Sequence, residues 1–284
     1  MTHGSGRIIG THQKIDRVSR RKLQQYLKDG TWFPRSREIL RFEGLNGPDG
    51  IKRKSPAHDE PRHFIRPDDP SDNHLIKLIQ GNQENLIKAL KEGNRERASF
   101  EAAWLAHAIT DGLTPAHHYP YEERLAEIRG NASEQDNIWK KFIMPGDTLR
   151  DKFLNNWEYW KPNGLMTSHG LYELGVAFIS APQRFSDVRL STDDRKRVVE
   201  QGGITGMYRD IVAQVYERHM YSYFLEHGWN EELARETKNF LMPIIIHTVL
   251  LAWYYCAVIA ATSDASSAKE GSSVLTESYG AKNA

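Results

Sequence analysis

The stretch from Phe240 to Thr262 contains no Asp, Glu, Lys or Arg, and it limits the possible folds more than any other part of the chain. As a helix it would be about 35 Å long, enough to cross a bilayer. A helix apolar on all sides must lie in hydrocarbon or in the middle of a protein core. Pro243, His247, Tyr254, Tyr255 and Cys256 sit inside the run, which favours a central core helix over a span.

The rest of the chain supplies helices to surround it. Apolar residues recur at helical spacing from Lys14 to Lys28, from Ser71 to Lys91, from Arg97 to Ile109 and from Thr148 to Tyr159. They recur again from His169 to Ile179 and from Asp193 to His227, where Gly202, Gly203 and Gly206 break the pattern. A shorter candidate covers Glu134 to Phe142. No strand-like alternation of any length occurs, so the expected fold is all-α, a single helical bundle. Residues 29–72 hold many Gly and Pro and read as one long irregular loop, a type of segment usually kept for function. The segment from Ser263 to the end, rich in Ser, Ala, Gly and Lys, reads as a disordered tail.

Chemistry concentrates in Trp104-Leu-Ala-His107-Ala-Ile-Thr-Asp111-Gly-Leu-Thr-Pro115-Ala-His117-His118. His107 and Asp111 stand four apart on a helix, so both project from one face and can share a metal. Gly112 and Pro115 end the helix, and His117 can turn back toward the same region. Imidazole and carboxylate are ligands that zinc accepts, and a carboxylate has two oxygens with which to bridge two ions. The single cysteine, Cys256, excludes a disulfide framework and a Cys-based zinc finger, whereas twelve histidines are available. A net charge of +1, from 38 basic and 37 acidic residues, gives no global attraction for duplex nucleic acid.

This central stretch resembles that of the zinc-dependent phospholipase C and single-strand nuclease superfamily. There, a His-x-x-x-Asp followed by Pro and His supplies ligands to a cluster of three zinc ions. The similarity extends, in order, over residues 5–262 apart from an insertion. Thr11-His12 resembles the family's Thr-His opening, whose His binds one zinc. His63-Phe64-Ile65-Arg66-Pro67-Asp68-Asp69-Pro70 resembles the family's loop segment, with Asp49 its accompanying carboxylate and Asp59 a rival for that role. His169 and Glu173 match the His-x-x-x-Glu of the family's second metal helix. The ligand set so implied is His12, Asp49, His63, His107, Asp111, His117, His169 and Glu173, on a helical bundle with a trinuclear metal site and one ligand-bearing loop. His219 and His227 match nothing in it and are taken as non-ligands. The family also closes with an apolar central helix, in keeping with Phe240–Thr262.

The chain departs from the family in three places. It has no Trp before Trp32 to match the family's amino-terminal zinc ligand, and Thr2 would offer a free amine only if Met1 is removed. Residues 118–168 form a longer helical insertion than the family usually carries. Aromatic positions that hold choline in the phosphatidylcholine-hydrolysing members are Gly50 and Glu60 here, leaving Phe33, Phe42, Phe64, Trp157 or Trp160 as substitutes.

The resemblance implies zinc-dependent hydrolysis of a phosphodiester, with Asp111 bridging two ions and Asp49 orienting or deprotonating the attacking water. Glu at position 173 resembles the phospholipase branch, which implies a phospholipid substrate at a membrane surface without strong choline preference and a diacylglycerol product. The alternatives are a single-strand nuclease or 3'-nucleotidase of the same superfamily, an iron or manganese redox bundle, and a non-catalytic helical protein anchored through Phe240–Thr262. No obligate protein partner is evident. No apolar run near the start suits a signal peptide, which points to the cytoplasm or to a processed secreted form.

Overall fold

The computed structural model describes residues 10–43, 47–52, 64–129, 144, 146 and 148–280. Its helices follow in the order α1 (Thr11–Leu23), α2 (Ser36–Ile39), α3 (Pro48–Lys52), α4 (His74–Lys91), α5 (Arg95–Gly112), α6 (Tyr121–Arg129) and α7 (Leu149–Trp160). Then come α8 (Leu165–Ser180), α9 (Thr192–Glu200), α10 (Thr205–Tyr216), α11 (Met220–His227), α12 (Glu231–Glu236) and α13 (Met242–Gly280). No strand occurs among the described residues, and the chain is an all-α bundle.

The apolar run is the axis of the bundle. Ile246, Val249, Leu250, Leu251, Trp253 and Cys256 of α13 are fully buried, and the helix packs against α1, α4, α5 and α9. Two buried hydrogen bonds fix its register, from Ser19 Oγ to the Ile246 carbonyl (3.2 Å) and from Trp253 Nε1 to the Ala102 carbonyl (3.1 Å). By length and composition Glu231–Thr262 is apolar enough to cross a membrane, yet 67 % of its apolar window is buried within the bundle. A π-helical turn, Thr237–Leu241, leads into α13, which continues to Gly280 through the stretch that reads from sequence as a disordered tail.

Helices α4 and α5 form an antiparallel pair. Gly93 (φ +65°) supplies the left-handed residue that ends α4, and Asn94 caps α5 by accepting the Arg97 N–H (3.1 Å). Helix α1 starts at Thr11, earlier than its apolar spacing suggests, because Gly10 already accepts the first helical bond from Lys14 N–H (3.0 Å). His12 therefore lies in the first turn of α1.

The Gly- and Pro-rich region is not wholly irregular, since α2, a 3-10 turn at Leu40–Phe42 and α3 lie within it. Glu38 accepts the Arg35 N–H (2.7 Å) and so starts α2. Gly47 folds back against the chain so closely that a Cβ there would stand 2.8 Å from Glu43 Cα and from the Phe42 carbonyl oxygen. This approach turns Glu43 inward and brings Asp49 to the same end of α5.

Within the insertion, Thr148 and Asp151 cap α7 reciprocally (Asp151 N–H to Thr148 Oγ1 3.1 Å, Thr148 N–H to Asp151 Oδ2 3.1 Å). The other helix candidate there, Glu134–Phe142, lies outside the described residues. Tyr159 is packed down, but Leu149, Phe153, Trp157 and Trp160 form an exposed stripe along one side of α7. Leu171, Leu174 and Phe178 stand exposed on the neighbouring α8.

Candidate metal centre

Helix α5 carries the centre because its polar face points inward. Ala102, Ala106 and Ile109 pack it into the core, and the same burial takes His107 and Asp111 out of solvent. The two side chains meet as their spacing predicts, with His107 Nε2 3.3 Å from Asp111 Oδ2. Gly112 does more than end the helix. A Cβ at that position would lie 2.3 Å from Tyr208 Oη and 2.6 Å from Leu75 Cδ2, so α10 and α4 approach α5 through this residue. Tyr208 donates to the Ile109 carbonyl (2.9 Å) from there.

After α5 the chain makes a 3-10 turn at Pro115–His118, closed by the His117 N–H to Thr114 carbonyl bond (2.8 Å). This returns His117 to the site, with Nδ1 3.9 Å from Asp111 Oδ2 and Nε2 3.0 Å from Glu173 Oε1. On α8, His169 and Glu173 face the same way, with His169 Nε2 3.1 Å from Glu173 Oε1. Trp229 holds α8 in place, covering Gly175 and donating its indole N–H to the Leu171 carbonyl (3.1 Å). From α1, His12 stacks on His107 with ring centroids 4.0 Å apart and sets Nε2 3.3 Å from Asp111 Oδ1. Asp49 on α3 reaches His107 Nε2 at 3.6 Å and remains half exposed.

Seven of the eight expected ligands come together: His12, Asp49 and His107 cluster with Asp111, and His117 links that cluster to His169 and Glu173. His63 lies outside the described residues, as do Asp59 and Thr2. The neighbours of His63 do reach the centre. Ile65 N–H donates to the His117 carbonyl (3.2 Å), and the Phe64 ring lies 5.1 Å from that of His117.

Two acidic residues of the centre escaped the sequence reading. Glu43 Oε2 lies 3.4 Å from His107 Nδ1, and its side chain is only 2 % exposed. Asp16 is buried beside it, one helical turn after His12. His12-x-x-x-Asp16 repeats the spacing of the two metal helices, so a signal for Asp16 was present. Glu43 had none, since it follows a short turn and is positioned by the fold-back at Gly47.

The carboxylates and imidazoles of the cluster strongly shift one another's protonation. Burial opposes a charge on His107, but the Asp111 carboxylate, with hydrogen bonds to Asp111 and Glu43, raises its pKa well above the ordinary imidazole value. Burial, then the charge of Glu43, pushes the Asp16 carboxyl up, partly offset by His107. Burial also opposes ionisation of Glu173, yet hydrogen bonds from His117 and His169 and the charges on those rings hold it well below the usual carboxylate range. Burial is the largest single effect, but the hydrogen bonds and charges of the two imidazoles together outweigh it and decide the direction.

These residues fit zinc. The ligand atoms of His117, His169 and Glu173 lie within 4.8 Å of one another, and those of His12 and His107 lie as close, with the Glu43 carboxylate packed beside them. His12 Nδ1 is buried without a hydrogen-bond partner among the described residues, which is costly for a polar atom unless a cation or proton fills the site. His118 belongs to neither group. Burial lowers its pKa to about 4, and its Nε2–H donates to the Gly112 carbonyl (2.9 Å), making it a neutral bracket for the end of α5. His219 and His227 also stand outside both groups.

The substitutes for a choline-binding aromatic separate by position. Phe33 is buried against Trp253 and Phe42 packs on Phe100, so neither faces the centre. Trp157 and Trp160 belong to the exposed stripe on α7, and only Phe64 stands against metal-site imidazoles, those of His117 and His169. None of the family models, curated proteins and solved structures compared with the chain matches it.

Proposed function

We propose that this chain hydrolyses phosphodiesters with zinc, as a member of the zinc-dependent phospholipase C and single-strand nuclease superfamily, on its phospholipase side. The observation that carries this reading is the position of Asp111, one oxygen toward His12 and the other toward His107 and His117. A buried carboxylate placed between three imidazoles from three segments suits a bridge between cations better than any structural role. His12, Asp49, His107, Asp111, His117, His169 and Glu173 would hold the zinc, with His63 completing the set. Zinc bound there supplies Lewis acidity toward phosphoryl oxygens and acidifies water near neutral pH.

The residues of the chain define the rest of the chemistry. Asp49 is the most solvent-open carboxylate beside His107 and is placed to take a proton from a water entering the site. Asp111 keeps the imidazoles of α1, α5 and the 3-10 turn oriented to one point, so little reorganisation accompanies the reaction. Phe64 walls the side near His117 and His169 with an apolar ring. No serine or cysteine nucleophile is required.

The exposed Leu149, Phe153, Trp157 and Trp160 stripe favours lipid over single-stranded nucleic acid. Apolar and indole side chains on one face of a helix, next to Arg150 and Lys152, match the boundary between acyl chains and anionic head groups. The product would be diacylglycerol and a phosphorylated head group, without strong choline preference because Gly50 stands at one of the two choline-box positions. The test is zinc-loaded protein assayed against phosphatidylcholine, phosphatidylethanolamine, phosphatidylglycerol and single-stranded DNA. Hydrolysis of the lipids with DNA uncut supports the reading, and dominant cleavage of DNA moves the protein to the nuclease branch.

A further inference from the structure

We infer that Glu43 is a positioning residue for His107, accepting its Nδ1–H so that Nε2 is the nitrogen presented to metal, and is not itself a metal ligand. The inference rests on the metal-binding half of the reading above and not on the substrate. An imidazole has two nitrogens, and in the neutral ring one carries the proton while the other carries the lone pair. The partners of His107 are divided between them. On the Nε2 side stand Asp111 Oδ2 at 3.3 Å and Asp49 Oδ1 at 3.6 Å, and Asp111 also reaches His12 and His117. On the Nδ1 side stands Glu43 Oε2 at 3.4 Å, with hydrogen-bonding geometry.

Carboxylates from α3 and α5 therefore stand at Nε2, with the imidazoles of α1 and the 3-10 turn beyond Asp111, and Nδ1 faces a carboxylate sealed from solvent. If Nδ1 held the lone pair, it would face that carboxylate with no proton between them, and the Nε2–H would point at the place where the other donors meet. With a cation held between Nε2 and the carboxylates beside it, the opposite tautomer satisfies both sides. A buried carboxylate that accepts the outer N–H of a ligating histidine locks the ring and raises its basicity. The residue is supplied by a backbone device, since Gly47 lets the chain fold against Phe42 and Glu43.

The inference is tested on the full chain with Glu43→Gln, which keeps the shape of the side chain, and Glu43→Asp, which keeps the charge on a shorter stem. Zinc content and zinc affinity by chelator competition are measured for both and for the wild type. The histidine tautomers of the zinc-loaded proteins are read by long-range proton–nitrogen NMR. The expected result is the wild-type number of zinc ions in both variants, with affinity lower by about 10- to 100-fold in Glu43→Gln and by less in Glu43→Asp. In the wild type the His107 proton should reside on Nδ1, and its signal should shift and exchange faster in Glu43→Gln. Loss of a whole zinc ion from Glu43→Gln would make Glu43 a ligand and overturn the inference, as would a proton on Nε2 or an unchanged affinity. A wild-type chain that takes up no zinc would overturn the metal centre itself, a result distinct from any of these. Circular dichroism of each variant separates these effects from a failure to fold.

Discussion

Asp111 Oδ1 on α5 and His12 Nε2 on α1 lie 3.3 Å apart, although nearly a hundred residues separate them in the chain. The contact exists because α1 and α5 both pack on α13, which brings the first turn of α1 to the last turn of α5. The apolar central helix thus sets the distance between two polar groups it does not itself contain.

Gly112 is the tightest point in that arrangement. Gly112→Ala should lower stability by about 1–3 kcal/mol through overpacking against Tyr208 and Leu75, and should loosen metal binding because Asp111 is its neighbour. Tyr208→Phe alone loses one buried hydrogen bond, worth about 1 kcal/mol. In the double variant the lost hydroxyl makes room for the new methyl, so the two changes should cost less together than their sum. Urea denaturation of the four proteins in a double-mutant cycle checks this.

Zinc uptake should release protons at a pH where an ordinary histidine has already lost its own. His107 has a raised pKa in the folded, metal-free chain. Its protonation therefore stabilises that form fully below about pH 6.5, the usual unfolded value, and the gain is lost as pH rises through the folded value. Zinc needs the neutral ring, so zinc affinity should climb over the same interval. Calorimetric titration with zinc in two buffers of different ionisation enthalpy measures the protons released. No release above pH 6.5 would contradict the raised value.

The stripe on α7 should matter for lipid surfaces and not for bond cleavage. Trp157→Ala and Phe153→Ala each remove an exposed ring, and each should weaken vesicle binding by about tenfold if the ring enters the interface. Hydrolysis of a short-chain, monomeric substrate should be unchanged. Vesicle sedimentation and the monomer assay together separate surface binding from catalysis.

Much of this arrangement is visible in the sequence, and the exceptions have physical reasons. His107 with Asp111 and His169 with Glu173 are legible because one helix fixes each pair, and helical spacing is a local property. The return of His117 is legible because Gly112 and Pro115 are local signals too. Glu43 is not legible, since its place depends on the close approach at Gly47 and on packing against α5, neither of which has a sequence period. Asp16 is only partly legible, since it stands on a face otherwise lined by Ile15, Val18 and Ser19, where a carboxylate four residues after His12 marks the inner side of the site. The insertion is half legible: Thr148 and Asp151 announce α7, but no pattern tells which of its aromatic residues pack inward, and only Tyr159 does so among those at 157, 159 and 160.

Asp111 would bridge cations, and metal analysis of the wild type and Asp111→Asn tests this most directly. The amide keeps the shape of the carboxylate but removes the charge that both ions would share. The wild-type chain should carry about three zinc ions and Asp111→Asn about one, with the helical content of the two proteins equal. Full zinc content in Asp111→Asn would contradict the bridge and, with it, the arrangement of the centre around that residue.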